Sequence, residues 1–377
     1  MSFSLLIADT YYPAFIETFH GQHPELDRAG YEETLEALLA TRFGTSDFYS
    51  KNLRLLGHEV HDVVANERVL QEKWIAENCG VLTATPFAIR SAVRKIPRVR
   101  RLVRSDRTFA MLALRIRAER PDVLYLQNLA LCEPHFIASV RPFVKLIVGQ
   151  IACLAPPEPF LRGCDLILSS FPGYVERFRS MGIDSEYLKI AFEPSVLERL
   201  PRRESPYEVS FVGGFERVHA AGTALLEKVA REIDFDVWGH NGESIAAGSA
   251  LRRHFHGEAW GTDMYGILFN SKITLNRHGV VSPENEAFAN NMRLYEATGA
   301  GAMLLTDEKD NLGELFEVGT EVVAYRDARD LIEKIRYYLG HDEERVAIAR
   351  AGQERTLRDH TYSQRMKELE QIIAAHL

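Results

Sequence analysis

The feature that most constrains this chain is a series of short apolar segments alternating with helical ones, and the series occurs twice. The first apolar segment is FSLLIAD at residues 3–9. Further on, the helical segment SDFYSKNLRLLG ends at Gly57, and the apolar segment HEVHDVVA follows directly. Short apolar runs that alternate with helices are typical of parallel strands covered on both faces. The chain is therefore predicted to be an α/β protein with parallel sheets.

The first series continues to residue 192, with strands predicted at 121–129, 144–151, 164–170 and 185–192 and a helix that ends at Gly182. The segment EPSVLERLPRRESP at 193–206 then holds three prolines and a cluster of charges, a composition typical of a hinge between domains. After it the pattern restarts with the strands YEVSFVGGF, FDVWGH, KITLNRHG, AMLLT and TEVVAY.

At 377 residues the chain is longer than a single core usually becomes. The two series predict two Rossmann-like, doubly wound lobes at residues 1–195 and 207–357, joined by a hinge. Residues 358–377 are predicted to form an amphipathic helix that packs back on a lobe, because Met366, Leu369, Ile372 and Ile373 share one face.

Bulk composition excludes several classes of protein. The net charge of -8 and the pI near 5.9 argue against a general nucleic-acid binder. The four cysteines form no C-x-x-C pair, so no zinc or redox motif is indicated, and buried reduced thiols are expected. The N-terminus has no signal-peptide pattern, and no apolar run approaches the ~20 residues that span a bilayer, so a cytoplasmic protein is expected.

Sequence motifs narrow the choice further. The glycines at 299–301 follow a helix and precede a strand, the reverse of a dinucleotide fingerprint, so a nicotinamide dehydrogenase is disfavoured. No P-loop and no H-E-x-x-H motif occurs. The segment Arg90–Arg107 carries eight Lys or Arg and one acid. Contact with an anionic membrane surface or an acidic acceptor is one interpretation and a solvated surface is the other; Pro97 argues against a long membrane-bound helix.

Two segments of the second series place polar residues or glycines where ligands bind in open α/β sheets, at the carboxyl end of a strand. Gly213 and Gly214 follow YEVSFV, where glycines allow a phosphate to approach the backbone, although an ordinary strand-to-helix turn has the same pattern. Asn276, Arg277 and His278 follow KITL and are predicted to lie at the same edge.

The helix MRLYEATG has a polar N-terminus. Asn290 and Asn291 are natural N-caps, and the free amides and positive end of the helix dipole suit a diphosphate. Arg293 and Glu296 are three residues apart and share one face. Arginine can pair with phosphate, and a carboxylate can accept two hydrogen bonds from a ribose diol. The alternative is that Arg293 and Glu296 form a surface ion pair over a capped helix. The spacing is compatible with nucleotide binding and with the surface pair alike.

The segment from Tyr207 to Leu377 resembles the C-terminal domain of the CgeB-like glycosyltransferases, relatives of the group-1 glycosyltransferases. The matching stretches are YEVSFVGGF, MYGILFNSKITLN, NMRLYEATGAGAMLLTD and LGELFEVGTEVVAYRDARDLIEKIRYYLGHDEERVAIARAGQERTLRDHTYSQRM. The resemblance implies the GT-B fold, with the nucleotide-sugar donor on the C-terminal lobe and the acceptor on the N-terminal lobe. Enzymes of this fold typically use neither a metal ion nor a cofactor.

The donor-binding residues predicted from the strand ends, the helix N-terminus and this resemblance together are Gly213, Gly214, Asn276, Arg277, His278, Asn290, Asn291, Arg293 and Glu296. By position, Glu296 matches the glutamate that holds the ribose, and Arg293 would face the diphosphate. The chain departs from the family at Phe288, where many retaining enzymes carry a second glutamate. Glu284 and Glu286 are nearby but out of register, so the stereochemical outcome is open.

An inverting reaction needs a base from the first lobe. Asp9 ends the first strand, His20 lies in the loop expected after it, and Asn128 follows a later strand as a positioning group. Histidine titrates near neutral pH. A turn cap for Asp9 and a solvent-exposed loop position for His20 are the alternatives.

The sequence therefore predicts a cytoplasmic, metal-independent glycosyltransferase of glycan biosynthesis. It would move a sugar from a nucleotide-diphosphate sugar to an acceptor hydroxyl on a glycan, a lipid-linked molecule, a protein or a small molecule. A nucleotide-sugar epimerase and a degenerate, non-catalytic glycan- or partner-binding protein are alternatives on the same fold. Base, sugar and acceptor are not specified by the sequence.

Overall fold

The structure, a computed structural model, describes residues 2–79, 97–204, 207–280, 282 and 285–377, and of residues 97–106 and 217 it describes the backbone alone. The basic run Arg90–Arg107, predicted to contact a membrane or an acidic acceptor, therefore lies almost wholly outside the described side chains. Among the described helices, none combines the length and the apolar character needed to cross a bilayer.

The N-terminal lobe is built on a parallel sheet with the strand order β2-β1-β3-β4-β5-β6. Its strands are β1 Ser4–Asp9, β2 Glu59–Val64, β3 Val123–Leu126, β4 Leu146–Ile151, β5 Leu166–Ser169 and β6 Asp184–Tyr187. Leu5 and Leu6, adjacent in β1, are buried in different apolar clusters on opposite faces of this sheet. Both faces are covered, as the continuous apolar strands predicted.

The helices of this lobe are α1 Pro13–Gln22, α2 Tyr31–Ala40, α3 Phe48–Leu55, α4 Arg68–Asn78, α5 Pro97–Glu119, α6 Pro134–Val140, α7 Glu158–Leu161 and α8 Pro172–Ser180. Helix α3 ends two residues before Gly57, which adopts a φ of 94°, so the glycine stop signal is confirmed. Helices α1 and α2 lie in an aromatic and charged segment whose sequence has no clear periodicity.

The C-terminal lobe contains a second parallel sheet with the order β11-β10-β9-β7-β8. Its strands are β7 Tyr207–Val212, β8 Asp236–Trp238, β9 Ser271–Leu275, β10 Met303–Asp307 and β11 Val323–Tyr325. Its helices are α9 Ala220–Val229, α10 Gly261–Phe269, α11 Met292–Ala300, α12 Leu312–Leu315, α13 Ala328–Leu339 and α14 Asp342–Asp359. The predicted pair of parallel α/β lobes is thereby confirmed.

The last helix, α15 (Tyr362–His376), returns to the N-terminal lobe and packs on α3. It begins with a capping box in which Thr361 and Gln364 satisfy each other's backbone amides. The Nε2 atom of His58 in the first lobe lies 2.9 Å from Oε1 of Glu370. The expectation that this helix packs back on a lobe is confirmed.

Two details differ from the expectations. The strand predicted at 185–192 ends at Tyr187. The chain then leaves the sheet, because the backbone N–H of Phe192 donates at 2.8 Å to the carbonyl oxygen of His360, just before α15. Cys132 and Cys164 are buried with their Sγ atoms 3.0 Å apart, but Cys153 is exposed in the loop after β4. The expectation of buried thiols is therefore wrong for Cys153.

Candidate functional site

The two lobes meet through side chains that follow the carboxyl ends of their strands. Tyr12, just after β1, has its ring 5.1 Å from that of His240, just after β8, and 5.5 Å from that of Trp260. The backbone N–H of Thr262 also donates to the carbonyl oxygen of Thr41 at 2.9 Å. The carboxyl edges of both sheets therefore border one region between the lobes, where ligands of open α/β sheets bind.

The two glycines after β7 lie in close contact with the protein itself. A Cβ atom on Gly214 would lie 2.2 Å from Oε2 of Glu216 and 2.4 Å from the ring of His240. A Cβ atom on Gly239 would lie 1.7 Å from the carbonyl oxygen of Gly213. Neither Gly213 nor Gly214 has a positive φ, so no left-handed turn requires glycine at either position, whereas the backbone contact does require glycine at 239.

Arg277 holds the loop after β7 in place. Its guanidinium donates to Gly214 O at 2.8 Å and to His219 O at 3.2 Å, and it lies over the ring of Phe211 with 5.1 Å between centres. Burial lowers the pKa of Arg277 to about 10. Its Nε atom is buried without a hydrogen-bond partner among the described residues. The predicted strand-end cation is thus present, but it donates to two backbone carbonyl oxygens and to Thr223 Oγ1, the last at 3.3 Å.

The N-terminus of α11 is tied to the end of β9. Asn291 caps the helix by accepting the N–H of Leu294 at 3.4 Å, as predicted. Its Nδ2 atom donates to Oδ1 of Asn276 at 2.8 Å, and Asn276 donates in turn to Thr306 Oγ1 at 2.9 Å. The side chain of Asn290 does not cap the helix. These bonds bring the free amides of α11 next to residues 276–278.

Arg293 and Glu296 form the predicted pair, with 2.8 Å between Nη1 and Oε2. Their side chains are 13% and 6% exposed, so the alternative of a surface ion pair is wrong. The Nε–H of Arg293 also donates to Val212 O at 3.2 Å. Burial raises the pKa of Glu296, although Arg293 and a hydrogen bond with Tyr265 oppose this rise.

A buried group of polar atoms lies along this edge of the C-terminal sheet. Within the described part of the chain, six atoms after β7, after β9 or before α11 are buried with no hydrogen-bond partner: Glu216 Oε2, His219 Nδ1, Arg277 Nε, His278 Nε2, Asn285 Oδ1 and Asn290 Nδ2. Buried polar groups in proteins are normally satisfied, and each unpaired one costs about 1–3 kcal/mol. Their concentration beside a helix N-terminus is typical of a site whose partner atoms come from a ligand.

In the N-terminal lobe the structure brings Asp9 and Asn128 together through Thr10. The N–H of Thr10 donates to Asp9 Oδ1 at 2.7 Å, and Asn128 Nδ2 donates to Thr10 Oγ1 at 2.6 Å. Burial raises the pKa of Asp9 to about 6; the bond from Thr10 opposes the rise and the nearby charge of Asp62 adds to it. A carboxylate with this pKa suits a general base near neutral pH.

His20 lies elsewhere. It belongs to helix α1 and not to a loop, which corrects the expected position. Its Nε2 atom lies 3.0 Å from Oε1 of Glu67, and Glu67 caps α4 by accepting the N–H of Val69 at 3.1 Å. The partner of His20 is therefore a helix cap, while the other two first-lobe candidates lie at the sheet edge.

The segment before α11 reaches the first lobe. Phe288 is half-buried and packs against the apolar cluster of the N-terminal lobe, and Ala289 N–H donates to Asn311 Oδ1 at 2.6 Å. Glu286 is exposed, and Glu284 lies outside the described residues. Among the described His, Cys, Asp and Glu side chains, no three are arranged to hold a metal ion.

Two parallel-sheet lobes whose carboxyl edges border a shared region define the GT-B class of fold, and comparison with known proteins agrees. Residues 217–371 match the model of a family described as glycosyl transferase-like. Anabaena HepE, solved in complex with UDP-glucose, superposes with a TM-score of 0.57 at 11% identity, covering 99% of this chain and 100% of that one.

Two other solved structures are similar. AviGT4, a glycosyltransferase involved in avilamycin A biosynthesis, has a TM-score of 0.56 at 13% identity, covering 98% of this chain and 96% of that one. A candidate UDP-N-acetylglucosamine 2-epimerase from Listeria monocytogenes has a TM-score of 0.53 at 12% identity, covering 100% of this chain and 97% of that one. No curated protein sequence matches significantly. At these identities the structures establish the fold.

Several residues of the region were not among the sequence candidates: Tyr12, Glu216, His219, His240, Trp260 and Asp307. Asp307 ends the strand β10, so the same strand-end rule that selected Asn276 would have found it. Glu216 lies two residues after Gly214 and was open to the same argument. Tyr12 and Trp260 carry no local signal, because their contact joins the two lobes.

Proposed function

We propose that this protein is a glycosyltransferase that takes its sugar from a nucleoside-diphosphate donor bound on the C-terminal lobe. The observation that carries the proposal is the group of unpaired buried polar atoms beside the N-terminus of α11. Arg277, His278 and Asn290 bring nitrogen donors to this group, and a diphosphate needs donors in this arrangement. The match of residues 217–371 to a glycosyl transferase-like family supports the same reading.

The geometry supports the following roles on the donor side. The amides at the start of α11 and the side chains of Arg277, His278 and Asn290 would face the diphosphate, with Gly213 and Gly214 opposite. Glu296 would accept hydrogen bonds from the ribose hydroxyls, and Arg293 would keep its carboxylate ionised. Asn276 would hold the cap of α11 in place. We also propose that the protein is related to the CgeB-like glycosyltransferases.

The transfer itself needs a base. As the acceptor oxygen bonds to the anomeric carbon, the bond from that carbon to the phosphate oxygen breaks and its electron pair stays on the diphosphate. The proton of the acceptor hydroxyl would pass to the Asp9 carboxylate. The backbone N–H of Thr10 donates to this carboxylate, and the side chain of Asn128 donates to the Thr10 hydroxyl. Donor groups fixed in advance around the leaving phosphate stabilise the charge that develops there.

Calorimetric titration with UDP, GDP and dTDP tests the donor site, with UDP first because similar structures were solved with it. Wild type should bind one of the three. Glu296→Gln keeps the shape of the side chain but removes its charge, and it should weaken binding about tenfold or more, because hydrogen bonds to a charged acceptor contribute about 1.5–3 kcal/mol.

Glu354→Gln is the matched control, since Glu354 pairs with Arg350 on an exposed face of α14, with 2.9 Å between Nε and Oε1. It should bind like wild type. If no nucleotide binds the wild type, or Glu296→Gln binds as tightly, the donor-site assignment is wrong.

A nucleotide-sugar epimerase is the second candidate, because the Listeria monocytogenes protein has the same fold. Incubation of the bound donor without acceptor distinguishes the two: a transferase leaves the sugar unchanged or hydrolyses it slowly, and an epimerase produces the epimer. Binding without transfer, hydrolysis or epimerisation would instead indicate the non-catalytic alternative.

A further inference from the structure

His278 is held rigidly by a carboxylate from the neighbouring strand. Its Nδ1 atom lies 2.6 Å from Oδ1 of Asp307, and its backbone N–H donates to the same oxygen at 3.0 Å. His278 follows β9 and Asp307 ends β10, and the two strands are paired at Leu275 and Leu305. The side chain of His278 is 4% exposed, and its Nε2 atom is buried with no hydrogen-bond partner among the described residues. Asp307 Oδ1 thus bonds both the ring and the backbone of His278.

The protonation of this pair follows from its charges. Burial raises the pKa of Asp307, but the hydrogen bond from His278 and the charges of His278 and Lys309 outweigh burial, so the net pKa is lowered. Asp307 is therefore ionised at neutral pH and accepts a hydrogen bond from the protonated Nδ1 atom of His278. In a neutral imidazole held in this way, Nε2 carries a lone pair and no proton. An anion can bind at Nε2 after the ring takes up a second proton.

The ring lies beside the groups that suit an anion. The side chain of Asn291 caps α11 and bonds Asn276, two residues before His278, so the positive end of the α11 dipole adjoins the His278 segment. Asn290, next to the capping residue Asn291, has a second unpaired buried nitrogen.

We propose that binding of a nucleoside diphosphate protonates His278, whose Nε2–H then donates to a phosphate oxygen while Asp307 holds the ring and balances its charge. The inference rests on the proposed function and deepens it: the site would recognise its donor together with one proton. His278 touches the ligand, whereas Asp307 acts through it and is a positioning residue. As the sugar leaves, the same bond would stabilise the electron pair that stays on the phosphate.

The surrounding charges explain why the proton arrives with the ligand. Arg277 precedes His278 in the chain, Lys309 lies 3.4 Å from Oδ2 of Asp307, and the ring of His219 lies against Gly279. Arg277 and Lys309 oppose a further positive charge here, whereas Asp307, which bonds the ring, favours it; burial and Arg277 lower the pKa of His219, so that ring adds no charge near neutral pH. A phosphate adds negative charge on the other side of the ring, which favours the imidazolium.

Calorimetry of UDP binding at pH 7.5, repeated in buffers with different ionisation enthalpies, counts the protons exchanged. The terminal phosphate of UDP, with a second pKa of about 6, is mostly ionised at this pH and can itself take up a proton on binding, so the His278 variant decides which partner holds the proton. Wild type should take up between about half a proton and one proton per UDP. His278→Gln keeps a side-chain donor that does not titrate; it should abolish the uptake and weaken binding about tenfold.

Two further variants separate a positioning role from general damage. Asp307→Asn should bind UDP with reduced proton uptake, because an amide does not stabilise the imidazolium. His256→Gln is the matched control: His256 pairs with Asp236, 2.7 Å away, at the opposite end of the same sheet. It should leave both affinity and uptake unchanged.

The outcomes distinguish this inference from the function on which it rests. UDP binding to wild type without buffer-dependent heat, or uptake that persists in His278→Gln, would overturn the protonation of His278 and leave the donor site standing. Failure of UDP, GDP and dTDP alike to bind wild type would overturn the proposed function and this inference together.

Discussion

The ring of Tyr12 in the N-terminal lobe lies 5.1 Å from the ring of His240 in the C-terminal lobe, with 32° between their planes. Trp260 lies on His240 at 5.1 Å, so three rings from both lobes are in mutual contact. This contact joins residues that follow the carboxyl ends of β1 and β8. It closes the lobes over the edge where the candidate donor and acceptor groups lie.

Tyr12→Ala should loosen this contact. Each aromatic pair contributes about 0.5–1.5 kcal/mol, so loss of the pairs with His240 and Trp260 should shift the lobes toward an open arrangement by about tenfold. Small-angle X-ray scattering should show a larger radius of gyration. Tyr337→Ala, on the exposed face of α13, is the control. Equal curves for the two variants would contradict a role for Tyr12 in closure.

Asp9→Asn should make the protein more stable at neutral pH. The pKa of Asp9 is raised by burial from 3.8 to about 6, so the folded state holds the proton more strongly and stability falls as pH rises from about 4 to about 6. Above pH 6 the variant should gain up to about 3 kcal/mol. Urea unfolding at pH 5 to 8, with the exposed Asp27→Asn as control, measures this gain.

The same substitution tests the catalytic role. If Asp9 is the base, transfer should fall about a hundredfold or more while UDP affinity stays unchanged. Two results would contradict these roles. If the stability gain of Asp9→Asn over wild type is no larger at pH 8 than at pH 5, the raised pKa of Asp9 is wrong. If the variant transfers sugar as fast as wild type, Asp9 is not the base.

Gly239→Ala should destabilise the C-terminal lobe. The added Cβ atom would lie 1.7 Å from the carbonyl oxygen of Gly213, and a backbone atom has little freedom to move away. Overpacking of this kind costs about 1–3 kcal/mol. Gly248→Ala is the matched control, because nothing lies within 4 Å of its added atom, and it should change stability by less than about 0.5 kcal/mol. Equal urea midpoints would refute the close contact.

His360 should make stability depend on pH below neutrality. Burial lowers its pKa to about 4; the bond to Leu315 O, 2.9 Å from Nε2, opposes this and nearby arginines reinforce it. The unfolded chain takes up the proton first, so stability should fall as pH drops from about 6.5 to about 4, by up to about 3 kcal/mol. His360→Gln should flatten this dependence in chemical unfolding, and His256→Gln should not.

The candidate site shows where sequence reasoning succeeds. Asn291 caps α11 as expected, because a cap depends on atoms within three residues of chain. The pair Arg293 and Glu296 was likewise expected from helical spacing. Its burial was not, since that depends on Tyr265 and on the backbone of β7, which come from distant segments.

The sequence by itself determined the two series of parallel strands, the Pro-rich segment between them and the polar residues at strand ends, because these depend on local periodicity and neighbouring residues. Only the tertiary structure decided the rest. The pairing of His278 with Asp307 depends on strand order, and the return of α15 to the first lobe depends on which apolar face it covers. Tyr12 meets His240 because two separately patterned lobes pack against each other, and contacts between lobes leave no trace in a local pattern.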